Sequence, residues 1–320
     1  GCRTYVAPLG SKRPIARKHF FSRIMLKASF KLTTEVVEAM EEALYEIAPS
    51  KWYVIENRIT GDGFLEGIFE KEDEVQLAAK ALDSISPINL NLAEGLTLQK
   101  IEDKDWKDAY KIHFKPWSVG NFHCIPIWEK ETYIIPKGEI GFYIDPGMAF
   151  GTGNHETTKL CLEAIVGIKA GKGAQNKNPE SFLDLGCGSG IIAITAKLLG
   201  YSRVKGIDID PDAVRIALEN ATLNSIPDIY FHSCNIDGVD RKLTYDVVVA
   251  NIQTDVLRDF SEKILNLVQS NGILILSGIL TKEVNELTSH YQDIIKALGK
   301  EAQIETKSLN EWSSITLRYA

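Results

Sequence analysis

The chain has 320 residues, 44% hydrophobic and 25% charged, with 36 Lys and Arg against 43 Asp and Glu for a formal charge of −7. These proportions belong to an ordinary globular protein of about two domains and exclude an intrinsically disordered chain. No apolar run reaches the ~18 residues of a membrane-spanning helix, and the acidic balance argues against a broad nucleic-acid-binding face.

Residues 1–24 carry Arg3, Lys12, Arg13, Arg17, Lys18 and Arg23 and no acid. An acid-free basic leader fits an organelle transit peptide or sequence lying upstream of the fold. The second reading is preferred, because Met25 begins a good strand, and it sets residues 1–24 outside the fold. The remainder carries 30 basic and 43 acidic side chains, a balance of −13 that tolerates a basic partner.

Residues 25–103 read strand, helix, strand, strand, helix, strand. Leu26–Leu32 is extended, and Val37, Met40, Leu44 and Ile47 form one stripe of a helix over Thr34–Ile47. Trp52–Ile59 and Phe64–Phe69 flank the turn residues Gly61-Asp62-Gly63. Glu72–Ile85 is a second amphipathic helix with Ala78, Ala81, Leu82 and Ile85 inward, and Leu96 and Leu98 alternate with polar residues in a last strand. This β-α-β-β-α-β order is the ferredoxin-like arrangement. It holds no catalytic constellation, so its natural role is recognition.

Residues 104–145 are rich in aromatics, among them Trp106, Tyr110, Phe114, Trp117, Phe122, Trp128, Phe142 and Tyr143, and read as a packed connector between domains. From 146 to 320 strands and helices alternate. Strands are expected at Ser181–Leu185, Arg203–Ile209, Asp228–Ser233, Tyr245–Ala250 and Gly272–Ser277. Helices are expected at Gly190–Leu199, Pro211–Asn224 and Thr254–Val268. Alternation of this kind implies a parallel sheet covered on both faces. Two final extended segments, Gln303–Lys307 and Ser313–Tyr319, suggest an antiparallel hairpin added to it.

The chemistry concentrates in three places. Asp184-Leu185-Gly186-Cys187-Gly188-Ser189-Gly190 follows an apolar strand and opens an apolar helix, where glycines let a backbone approach a ligand and helix amides attract an anion. The last position of a dinucleotide fingerprint is Ile191 instead of glycine, and no P-loop lysine follows. Asp208, 22 residues beyond Gly186 at the next strand's end, is placed to bind ribose hydroxyls, while Asp210 caps the following helix. Upstream, the Gly-rich segment 145–158 includes Phe150, His155 and Thr158 and can fold over a ligand. Downstream, Asn251 ends a strand at the same crevice and can orient an amine or bind a cofactor. His155-Glu156 lacks a second His at zinc spacing, so no metal is expected. The five cysteines are odd in number and contain no C-x-x-C, which argues against a disulfide framework or a thiolate zinc site.

The loop D-P-G-M-A-F-G-T-G-N-H-E-T-T, the turn D-L-G-C-G-S-G, and the segments G-I-D-I-D-P, V-V-A-N-I and L-S-G-I-L together resemble the ribosomal protein L11 methyltransferase (PrmA) family. The connector and Glu311-Trp312 are similar too, so the likeness runs from about residue 25 to 320. It implies a Rossmann-like S-adenosylmethionine-dependent methyltransferase sheet preceded by the small α+β domain. The cofactor-binding residues implied are Thr158, Asp184, Gly186, Gly188, Gly190, Asp208 and Asn251, with Phe150 and His155 as further lining, and Asn251 is the amine-orienting catalytic residue. The implied substrate is the large-subunit ribosomal protein L11, methylated on lysines and its N-terminal amine in the cytoplasm, with no membrane and no direct nucleic-acid requirement. Two alternatives stand beside it: a lysine methyltransferase for another protein, or a non-catalytic cofactor-binding module in ribosome assembly.

Overall fold

The computed structural model describes residues 24–319 apart from 34–35, 38–39, 41–43, 45–51, 57–62, 86–89, 103–113, 146–154, 170, 172–178, 227 and 241. They form two compact units that meet in sequence between Phe114 and Lys115. No helix among them is long and apolar enough to cross a membrane.

In the first unit, β1 (Ile24–Leu32), β2 (Trp52–Glu56), β3 (Gly63–Phe69) and β4 (Thr97–Glu102) pair in the order β2-β3-β1-β4, every pair antiparallel. Of the helix expected over Thr34–Ile47, the described positions Val36, Val37, Met40 and Leu44 are helical. Val37, Met40 and Leu44 are buried, while Ile47 and the turn residues Gly61-Asp62 lie outside the described residues. Helix α1 (Glu72–Ile85) has the expected bounds but a rotated face: Val75, Ala79 and Leu82 are buried, whereas Ala81 is exposed. The larger Val75 side chain buries more apolar area than Ala81 would, and this decides the rotation.

In the second unit the expected connector contains a sheet. Strands β5 (Trp117–Val119), β6 (Phe122–Pro126) and β7 (Ile140–Ile144) pair in that order. Phe122 and Phe142 are fully buried, with ring centroids 6.1 Å apart, and join the core around helix α2 (Glu156–Lys169). Phe122 and Phe142 therefore belong to a core, with Trp117 packed against it. Trp106 and Tyr110 lie outside the described residues.

The main sheet is built from β8 (Ser181–Leu185), β9 (Arg203–Asp208), β10 (Tyr230–Ser233), β11 (Tyr245–Asn251), β12 (Val268–Leu280), β13 (Ala302–Leu309) and β14 (Trp312–Tyr319), in the order β10-β9-β8-β11-β12-β14-β13. The first five are parallel, and β14 runs antiparallel to both β12 and β13. Alternation along the strands feeds two cores. Phe182, Val247, Val249 and Ile275 pack with α2, α3 (Ile191–Leu198) and α4 (Pro211–Leu223). Leu183, Leu185, Val248 and Ala250 face the other way, against α5 (Thr254–Asp259), α6 (Ser261–Asn266) and α7 (Val284–Ala297). Pro211 opens α4, and Asp210 caps it by accepting the Asp212 N–H at 2.8 Å, as the sequence predicts.

The single helix expected over Thr254–Val268 is two helices and the start of a strand. The chain breaks at Phe260, the buried Ser261 hydroxyl donates to the Arg258 carbonyl at 2.8 Å, and Val268 already pairs with Tyr245. β12 consequently has 13 residues and reaches past the parallel sheet, where Ile279 and Leu280 pair with Ser313 and Trp312 of β14.

Candidate functional site

The carboxyl ends of β8, β9, β11 and β12 converge on one crevice edge, the usual ligand position in an open α/β sheet. The turn after β8 folds back on β9: the Gly186 and Cys187 N–H groups both donate to the Ile207 carbonyl at 2.9 Å. Gly186 and Gly190 have φ of +73° and +77°, which side-chain-bearing residues rarely adopt. Neither position has room for a Cβ. At Gly186 it would stand 2.3 Å from Ile252 Cγ2, and at Gly190 2.9 Å from Ala217 Cβ. The turn is thus a bare backbone cradle opening into α3. The Asn220 amide pins it from α4 by donating to the Ser189 carbonyl at 2.9 Å.

Asp208 ends β9 beside this cradle. Its Oδ2 accepts the Gly188 N–H at 2.9 Å and its Oδ1 accepts the Asp210 N–H at 3.0 Å. Both bonds fix the carboxylate, and each oxygen retains a lone pair for a further donor such as a ribose hydroxyl.

Asn251 and Thr158, 93 residues apart in sequence, meet at the end of β11. The Asn251 amide nitrogen donates to Thr158 Oγ1 at 3.4 Å, and Thr158 is itself buried. That orientation leaves Asn251 Oδ1 buried without a hydrogen-bond partner. A buried acceptor without a donor costs free energy unless a ligand supplies one. A substrate N–H is such a donor.

His155 stands one helical turn earlier, at the start of α2. Its Nδ1 accepts the Thr157 N–H at 3.3 Å and lies 2.8 Å from the Thr157 hydroxyl, and its ring packs edge-on against Trp312 with centroids 5.1 Å apart. Burial holds its pKa below the usual histidine value, so the ring is neutral near pH 7. Its placement braces the entry to α2. Phe150 lies outside the described residues. Asp184 is fully buried under the turn, where its Oδ2 accepts the Ala193 N–H of α3 at 3.1 Å.

Three contributors escape a reading of single motifs. Ile252 seals the cradle at Gly186. Ser277, fully buried opposite Asn251 on β12, donates to the Thr157 carbonyl at 3.0 Å and so positions the residue before Thr158. The Thr254 hydroxyl donates to Glu283 at 2.7 Å, tying the segment after Asn251 to the turn after β12. Among the described residues no group of three or more metal-ligating side chains converges.

Comparison with known proteins bears on the family and the fold. The profile of the family described as "Ribosomal protein L11 methyltransferase (PrmA)" matches residues 23–319. A ribosomal protein L11 methyltransferase of Caldicellulosiruptor saccharolyticus is 30% identical over 91% of this chain and 98% of its own length. One from Vibrio vulnificus is 34% identical over 84% of this chain and 86% of its own. Among solved structures, the ribosomal protein L11 methylase of Lactobacillus delbrueckii subsp. bulgaricus superposes with a TM-score of 0.55 at 28% identity, covering 64% of this chain and 99% of that one.

Proposed function

The chain belongs to the ribosomal protein L11 methyltransferase family, and from that premise we propose that it methylates amines of ribosomal protein L11, both lysine side chains and the N-terminal α-amine, using S-adenosylmethionine. The residues present fit that cofactor. The cradle of Gly186, Gly188 and Gly190 can take its amino-acid end against the start of α3, and Asp208 can accept its ribose hydroxyls. Thr158 and Asn251 border the place where the reacting methyl would lie.

When bound, the cofactor supplies an electrophilic methyl on a sulfonium. The protein's part is to prepare the amine. A lysine ammonium, with a pKa near 10.4, has no lone pair, so it must lose a proton before attack. Burial among the carboxyl ends of β11 and β12 disfavours the charged form and helps release that proton. Asn251 Oδ1 then accepts an N–H of the neutral amine and holds its lone pair toward the methyl. Thr158 keeps the amide turned for that task, and most of the rate gain comes from positioning. The observation that carries this reading is the buried, unpartnered Asn251 oxygen.

Residues 25–103, within the first unit, are the substrate-recognition domain in this reading, with a ferredoxin-like fold. Its described strands follow the order β2-β3-β1-β4 and it carries exposed Tyr53 and Phe64. The reading implies work in the cytoplasm, with no membrane and no direct nucleic-acid requirement. Intact-mass analysis of purified L11 after incubation with the enzyme and S-adenosylmethionine tests it. Mass gains in single-methyl steps on lysines and the N-terminus are expected. An unchanged mass while the cofactor binds would reject L11 as substrate.

A further inference from the structure

Asp184 is fully buried at the end of β8, directly before the glycine cradle. Its Oδ2 has one donor, the Ala193 N–H, and its Oδ1 is buried with no hydrogen-bond partner. An ionised carboxylate so placed is far costlier than a neutral acid. The groups that act on it are the Asp208 carboxylate at the end of β9, the Cys161 thiol on α2 and the Cys187 thiol in the turn. Those neighbours bring negative charge or none. Burial, more than Asp208, pushes its pKa up to about 7, while the Ala193 bond pulls it down.

We propose that Asp184 is a proton-linked positioning residue, carrying a proton in the cofactor-free protein and releasing it to solvent when cationic S-adenosylmethionine seats against the cradle. The inference rests on the cofactor reading above. The cofactor carries a sulfonium and an ammonium against one carboxylate, a net positive charge. In an enclosed site that charge favours the ionised form of the nearest buried acid. Ionised Asp184 then attracts the cofactor and grips the first turn of α3 through a stronger, charge-assisted bond to Ala193.

Isothermal titration of the full chain with S-adenosylmethionine, in two buffers of different ionisation enthalpy at pH 6.5, counts the protons. Release of a measurable fraction of a proton per cofactor is expected, with affinity tightening by up to about tenfold from pH 6 to pH 8. Asp184→Asn is isosteric with the neutral acid. It should remove that release and bind at pH 8 as weakly as the unaltered protein does at pH 6. A merely structural Asp184 would move neither proton count nor pH slope. No release by the unaltered protein, or the same release by Asp184→Asn, overturns the proposal and leaves the cofactor reading standing. Failure to bind at any pH removes both. Should Asp184→Asn fail to fold, the unaltered protein's proton count decides alone.

Discussion

Asn251 and Asp184 both carry a buried oxygen without a partner, yet the physics of each differs. Asn251 Oδ1 is a neutral acceptor, so truncation removes a catalytic contact and no native hydrogen bond of that oxygen. Asn251→Ala is expected to lower methyl transfer by about 100-fold or more, the scale of losing one preorganised hydrogen bond at a reacting centre. Titration calorimetry should find the cofactor affinity within about threefold of the original. A loss of binding equal to the loss of turnover would assign Asn251 to the cofactor alone. Asp184 is a titrating group raised from 3.8 to about 7. Between those values the folded protein binds the proton and the unfolded chain does not. Its contribution to stability is therefore full below about pH 4 and is lost as pH rises toward 7. In the cofactor-free protein, Asp184→Asn should melt higher than the original at pH 8, where the original buries a charge, and the gap should shrink toward pH 5. A gap independent of pH would show that Asp184 does not titrate in this range. The motif positions of both residues are legible in the sequence. Their partners are not, because whether an oxygen is orphaned depends on which chain segments close over it.

At the scale of elements, the turn between β8 and α3 concentrates the constraint. Gly186→Ala meets two penalties: a positive φ costing about 1–2 kcal/mol and crowding against Ile252 costing about 1–3 kcal/mol. Denaturant unfolding should register a loss of roughly 2–5 kcal/mol, and cofactor binding should weaken with it. Ser277→Ala, on the neighbouring β12, removes a buried bond to the Thr157 carbonyl and should cost about 1–2 kcal/mol. It should also lower turnover more than cofactor affinity, since it loosens the segment leading to Thr158, whereas equal effects on both would mean a purely structural bond. The glycine spacing and the strand-end Asp208 are readable as local signals, because apolar strand, turn and helix follow one another within 20 residues. The Phe260 break and the length of β12 are not. Ser261 Oγ lies 2.9 Å from His290 Nε2, 29 residues on, and Leu280 pairs with Trp312 of β14, partners that no local pattern reveals.

At the scale of the molecule, the two units divide binding from chemistry in the proposed reading. Tyr53 and Phe64 lie on the face of the β2-β3 pair opposite to buried Trp52 and Leu65, and both are exposed. Replacing the pair by serine is expected to raise KM for L11 at least fivefold, while cofactor affinity and the turnover of a short lysine peptide stay unchanged. An unaltered KM would place recognition elsewhere on the unit.

Hydrophobic periodicity and turn residues by themselves determined the strand–helix alternation of the second unit, the antiparallel closing hairpin, and the ligand-facing turn, since each is a local property of fewer than about 20 residues. Only the tertiary structure decided that Phe122, Cys124, Phe142 and Ile144 are core, that α1 turns Val75 inward instead of Ala81, and that Thr158 meets Asn251 across 93 residues. Those outcomes follow from competition among distant segments for the same buried volume, which no local pattern encodes.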